Sequence, residues 1–256
     1  MKNSMNINKK KTLFNIFASS ITIFALFVLW IIISSVKQNN VIYPSINEIL
    51  SEFFRLFQGD KLKVLGMSFI RLIFSILISF IISFLIIFLY IWKKWTFGIF
   101  SPIIKIMRSV PFVSFSIFVL LIFGNDNAPY IIAALVILPI VVDGLKAGID
   151  NIDKSLTDDL ALLNGFIKKV FYVYLPILFP AIITLLLQTF GLGFKVMVMG
   201  EYLSQTPLSV GTELYNAKSY LEMDVLIAWT IMIVIITGIV EVLVNICGEK
   251  HKQNVK

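Results

Sequence analysis

The chain has 256 residues, 58% of them hydrophobic and only 14% charged, with a formal net charge of +7 and a mean hydropathy of +0.92. Soluble domains are near half apolar and about a quarter charged, so these values exclude an ordinary soluble domain and imply an integral membrane protein. The single cysteine, Cys247, excludes an intramolecular disulfide and a cysteine-based metal cluster, and the lysines flank apolar runs instead of forming a nucleic-acid patch.

Lys9, Lys10 and Lys11 precede the first apolar run, 13–36, which is too long for the core of a secretory signal and ends without a cleavage site. It reads as an uncleaved first span behind a cytoplasmic tail, 1–12. Pro44 and Ser45 then open a short amphipathic helix within 43–57. Ile46, Ile49, Leu50, Phe53, Phe54 and Phe57 share one face, which suits a helix lying along a membrane surface. Further apolar runs predict spans at 67–92, 99–123, 129–145, 170–199 and 225–247. The third carries Lys105 and Arg108 in its opening turns with Pro111 just beyond, and the fourth contains Pro139. The expected fold is all-α and polytopic: six transmembrane helices in a single domain, 13–248, between tails 1–12 and 249–256.

Charge sets the orientation. With the N-terminus in the cytoplasm, segments 2–11, 93–108, 146–169 and 250–256 hold 15 of the 22 Lys and Arg. This bias places both termini inside. The stretch 143–180 then forms a cytoplasmic hairpin, the longest charged interruption of the chain and a docking surface for a soluble partner. Ser155 or Thr157 caps a short helix there, and Asp158 and Asp159 sit in its first turn where negative charge suits the helix dipole. Leu160, Leu163 and Phe166 recur on one face that fits a partner's groove, Lys168 and Lys169 anchor the membrane edge, and Pro176 sits in the first turn of the next span. The plain alternative is a solvated loop.

Polar groups within the spans are costly unless paired or facing a cavity. Lys195 either lines a path for an anionic or polar solute or snorkels, or pairs with another span through Asp143 or Glu241. Met199 and Glu201 follow it as path candidates. Arg71 reads as a snorkelling residue at a span end. There is no G-x-x-x-x-G-K-[ST] loop and the sole histidine, His251, lies in the tail, so no catalytic, cofactor or metal residue is assigned and the chain is not expected to be an enzyme. A self-powered secondary transporter or channel would instead couple ions through Asp143 and Glu241.

Several motifs follow one another in order: YPS at 43–45, MSFIRLIFSILISF at 67–80, SPIIKIMRSVPF at 101–112, LIFG at 121–124, LPIVVDGLKAGID at 138–150, YLPILFPAI at 174–182 and GEYLSQTPLSVGTELYNAKSYLE at 200–222. Together they resemble the membrane-spanning permease subunits of ABC importers, in the nitrate/sulfonate/taurine-type group of the binding-protein-dependent transport family. The resemblance implies a six-helix, MetI-like permease fold in a bacterial cell membrane. Its implied partners are a second copy of the chain, cytoplasmic ABC ATPase subunits, and an extracellular or periplasmic solute-binding protein. It implies carriage of a small solute such as nitrate, an alkanesulfonate, taurine or a thiamine precursor, and Lys195 favours an anion.

The family's Glu-Ala-Ala loop, which receives the ATPase, is degenerate here, about 146–170. Counting back from Leu175-Pro176 places it on Thr157-Asp158-Asp159 with Leu163 in the glycine slot; a shifted register uses Asp159-Leu160-Ala161 with Gly165. The docking candidates implied by the resemblance are therefore Asp158, Asp159, Leu160, Ala161, Leu163, Gly165 and Phe166.

Overall fold

The computed structural model describes residues 42–152 and 165–254, with side chains described through residue 244. The expected first span, 13–36, and the docking stretch 153–164 lie outside the described residues. The remainder is helical: α1 (Ile46–Arg55), α2 (Asp60–Trp92), α3 (Phe97–Ser109), α4 (Phe112–Asp150), α5 (Phe166–Ser204), α6 (Val210–Ser219) and α7 (Met223–Asn254). Among the described residues four stretches are long and apolar enough to cross a membrane: Asp60–Trp92, Phe112–Asp150, Phe166–Ser204 and Met223–Val244.

α1 starts where its capping residues dictate. The Ser45 side chain accepts from the Glu48 amide while the Glu48 carboxylate accepts from the Ser45 amide, 2.8 Å away, a reciprocal capping box. Its apolar face is divided: Ile49 is buried and Phe53 packs on the core, whereas Leu50, Phe54 and Phe57 are exposed. The helix rests against α7.

The expected third span is not one rod. Val110 is extended (φ −71°, ψ 131°), as the residue before a proline prefers, and Pro111 then opens α4. Gly124 (φ 76°, ψ 170°) breaks α4 again; its positive φ is open to glycine without a Cβ clash. The pieces 97–109 and 112–123 therefore run back along 125–150. Val119 packs with Ala128 and Ile132, and Met107 and Arg108 line a cavity with Pro139 and Ile140. The expected fourth span, 129–145, is the middle of a longer helix ending at Asp150.

α2 and the second half of α4 run parallel and touch through hydroxyls. Ser75, Ser79 and Ser83 Oγ donate to the carbonyls of Tyr130, Ala134 and Leu138 at 3.0, 2.9 and 3.4 Å. All three serines are fully buried. Small residues let two backbones approach closely, which drives helix association where lipid is as apolar as the side chains. α5 runs antiparallel to both. Phe69 of α2 stacks on Phe194 of α5 at 4.9 Å between ring centroids, and a Cβ on Gly193 would meet Ile137 at 2.9 Å and Leu72 at 3.0 Å. Trp229 of α7 completes this core, fully buried.

The bundle consequently has two ends. One collects the start of α2, the Gly124 turn, the end of α5, and α6. The other collects the end of α2, α3, the end of α4 and the start of α5, and carries Lys93, Lys94, Lys146, Lys168 and Lys169.

Candidate functional site

At the first end a buried charge network ties α2, α5 and α6 together. Arg71, 5% exposed, donates through Nη1 to Glu201 Oε1 at 3.1 Å and to the Leu208 carbonyl at 3.0 Å, and through Nη2 to the Pro207 carbonyl at 2.8 Å. The fully buried Glu201 carboxylate also accepts from Ser68 Oγ at 2.8 Å and from the Gly211 amide at 3.3 Å, and Ser68 Oγ accepts from the Val210 amide at 3.0 Å. The Thr206 hydroxyl donates to the Asn125 carbonyl at 2.9 Å, adding the Gly124 turn. Two non-glycine residues of the connecting loop, Gln205 (φ 51°) and Leu208 (φ 49°), are held in the left-handed region, a conformation that needs such surrounding contacts.

This corrects the reading of Arg71 as a snorkelling residue: the guanidinium points inward because a carboxylate and two loop carbonyls await it. It also gives Glu201 a different setting from the path expected for it. Three protein donors converge on its carboxylate.

A second polar feature lies inside the membrane-spanning part. α5 and α7 diverge around a cavity of about 460 Å³ lined by Gln188, Lys195, Thr237 and Glu241 among apolar neighbours. Gly191 faces Val240 across the contact, a Cβ there lying 3.4 Å from the valine side chain. The helices are antiparallel, so Lys195 sits one turn from that contact and Glu241 beside it. Thr237 donates its hydroxyl proton to the Ile233 carbonyl at 2.9 Å. Lys195 and Glu241 have no ion-pair or hydrogen-bond partner among the described residues. Asp143, one of the two acids considered as a partner for Lys195, is paired with Arg108. Met199 follows Lys195 by one turn on the same side of α5 and is partly exposed.

A charge at the bilayer centre costs about 2.5–3.5 kcal/mol on insertion scales. Lys195 is nine residues from the end of α5, roughly 14 Å along the axis, and Glu241 lies near the far end of the apolar stretch Met223–Val244. Lys195 facing lipid at that depth would cost about 2.5–3.5 kcal/mol, a large share of the stability of many domains. The groove therefore suits water, a polar solute or another protein surface, not acyl chains.

At the lysine end, Tyr90 and Lys146 both donate to the Asp150 carboxylate, joining α2 to the end of α4. Of the docking candidates, Asp158, Asp159, Leu160, Ala161 and Leu163 lie outside the described residues. Gly165 (φ 102°) precedes α5, and Phe166 opens it, packed edge-on against Phe88 at 5.0 Å. Sequence reasoning did not single out Ser68, Gln188 or Thr237. Gln188 and Lys195 are seven residues apart, two turns of one face, which was the available signal.

Residues 84–252 match the family model described as the binding-protein-dependent transport system inner membrane component. The chain belongs to that family. It is thus a multi-pass permease component of binding-protein-dependent transport, a family whose members work with an ATPase and a binding protein. The match covers α3 to α7, including the α5–α7 groove, Glu201 and both connections at the lysine end, and begins within α2 after Arg71. No curated protein matches the chain.

Proposed function

We propose that this permease component is half of an ATP-driven importer. Two copies would pair around a path to which each contributes its α5–α7 groove, with Lys195, Gln188 and Met199 as path-lining residues. The lysine-rich end would face the cytoplasm, in keeping with the positive-inside bias, in a bacterial plasma membrane. The segment from Asp158 to Phe166 would receive the ATPase there and shift α4 and α5 as levers. The Arg71–Glu201 end would face the external binding protein. The observation that carries the reading is the α5–α7 groove, whose unpaired polar groups within a permease-family chain need a wet or protein-covered environment. Lys195 beside the path would favour an anionic solute of the nitrate, sulfonate or taurine type, with the Glu241 carboxylate of the same groove opposing that preference.

The self-powered alternative keeps Glu241 but loses Asp143 to its pair with Arg108, and has no claim on a binding protein. Purifying the tagged chain in mild detergent tests the proposal. An ATPase subunit should co-purify, and uptake should stop when ATP is depleted. Uptake that survives ATP depletion but collapses with the ion gradient would refute it. Within the importer, Lys195→Met should reduce uptake of an anionic solute; unchanged uptake would remove the anion assignment alone.

A further inference from the structure

Between α2 and the first turns of α5 lies a second cavity, about 240 Å³, at the lysine end. Its walls are Phe84, Phe88 and Ile91 on one side and Phe171, Tyr174 and Leu178 on the other. The groove exists because residues Val170–Tyr174 are wound as a π-helix, which widens the turn. Phe166, braced on Phe88, props the base of α5 beside α2. Further in, buried Leu178 closes the helix onto Gly148 of α4. From Val170 to Leu178 the wall rises roughly 12 Å, close to the ~15 Å of one hydrocarbon leaflet.

The rim is different in kind. Lys93 follows Trp92 at the end of one wall, and Lys168 and Lys169 immediately precede Val170 at the start of the other. Lys93 and Lys168 are exposed and Lys169 is half-buried, and no acid among the described residues pairs with them. Trp92 and Tyr172 are exposed as well, 58% and 78%, as aromatic side chains are at a membrane interface. An apolar slot about one leaflet deep whose rim carries three lysines without an acid partner among the described residues is complementary to one kind of molecule, with an apolar tail and an anionic head.

We infer that this groove is a binding site for an anionic phospholipid, an acyl chain lying between α2 and the π-turn and the headgroup phosphate held by Lys168, Lys169 and Lys93. A second copy of the chain fits worse, since a symmetric contact through this face would bring lysines against lysines. A soluble partner does not reach apolar walls at membrane depth. The site is separate from the α5–α7 groove and needs only that the chain is embedded in a membrane.

Native mass spectrometry of the full chain in mild detergent, titrated with phosphatidylglycerol or phosphatidylcholine of identical acyl chains, tests this. Phosphatidylglycerol should bind more tightly. Each lysine near a membrane surface contributes about a fivefold gain for anionic lipid, so Lys168→Gln with Lys169→Gln should weaken phosphatidylglycerol roughly 25-fold and leave phosphatidylcholine unchanged. Neither lysine is buried, and an unchanged melting curve checks that the variant folds as the native chain does. Leu175→Trp, filling the slot from its wall, should weaken both lipids. Equal affinity for the two lipids in the native chain would overturn the inference, as would a preference that survives loss of both lysines. So would a Phe171→Cys, Cys247→Ala chain that crosslinks at residue 171 to a second copy or to an ATPase subunit in native membranes.

Discussion

Replacing Glu201 by glutamine is the sharpest probe of how the first end of the bundle is held. The substitution keeps shape and volume and removes one charge. Three donors converge on the carboxylate: Ser68 Oγ at 2.8 Å, Arg71 Nη1 at 3.1 Å and the Gly211 amide at 3.3 Å. A glutamine supplies one accepting oxygen, and its NH₂ must then face a donor. A hydrogen bond to a charged group contributes about 1.5–3 kcal/mol, and removing one partner of a buried ion pair costs about 3–5 kcal/mol because the other charge is left uncompensated. The larger figure applies here, since Arg71 retains only the Pro207 and Leu208 carbonyls. For a chain of this size the loss corresponds to a fall in Tm of about 6–20 °C. Thermal unfolding followed by size-exclusion fluorescence in detergent measures it. Arg71→Met should cost a similar amount, and the double variant should be less destabilised than the two singles added together, by about 0.5–3 kcal/mol. A Glu201→Gln chain melting within about 2 °C of the native protein, or strictly additive singles, would show that the network is not what fixes this end.

Further substitutions separate buried from exposed interactions. Arg108→Gln should change stability by no more than about 1 kcal/mol, because its pair with Asp143 is 60% and 39% exposed; a Tm drop as large as that for Glu201→Gln would contradict the distinction. Ser79→Ala should cost only about 0.6 kcal/mol, the usual size of a hydrogen bond between membrane helices. Ser79→Leu, by contrast, should overpack the α2–α4 contact and cost about 1–3 kcal/mol or more, and the two melting curves should differ accordingly. Gly211→Ala should block folding, since a Cβ there collides with backbone atoms of Tyr202 and Val198, whereas Gly66→Ala, with open space around it, should yield a well-folded chain in the same expression and size-exclusion assay.

Much of the bundle was legible because length and apolarity dominate in a bilayer. The runs at 67–92, 170–199 and 225–247 lie within α2, α5 and α7, and Pro44-Ser45 forecast the start of α1 through a local signal, the capping box. What escaped was whatever depends on a neighbour. Arg71 and Glu201 are 130 residues apart, and a lone arginine near a span end looks the same whether it snorkels or is buried. The break at Val110-Pro111 was only suggested by its proline, because the apolar run continues unbroken across it. Ser75, Ser79 and Ser83 repeat every four residues and so announce a helix face, yet nothing in the pattern says which carbonyls will meet it. The π-turn at Val170–Tyr174 has no compositional signal at all, being apolar like its surroundings.

The candidate site was legible in pieces and not as a site. Lys195 stood out because a charge in a span is conspicuous; Glu241 stood out for the same reason. Their common cavity follows only from the register of α5 against α7, in which Gly191 faces Val240. That register also bears on assembly. Among the four spanning stretches, the most apolar window of Phe166–Ser204 is the least buried, 17% against 56% for Phe112–Asp150. α5 therefore presents more surface to its surroundings than α4 does, and part of that surface is the Lys195 groove. Lipid satisfies the apolar part of the surface and not the charged part. Among the described residues nothing covers Lys195, Gln188 and Glu241, and hydrocarbon against them would cost several kcal/mol. The cost disappears if the groove faces water and a second protein surface. Those few side chains are the ones the proposed solute path would use.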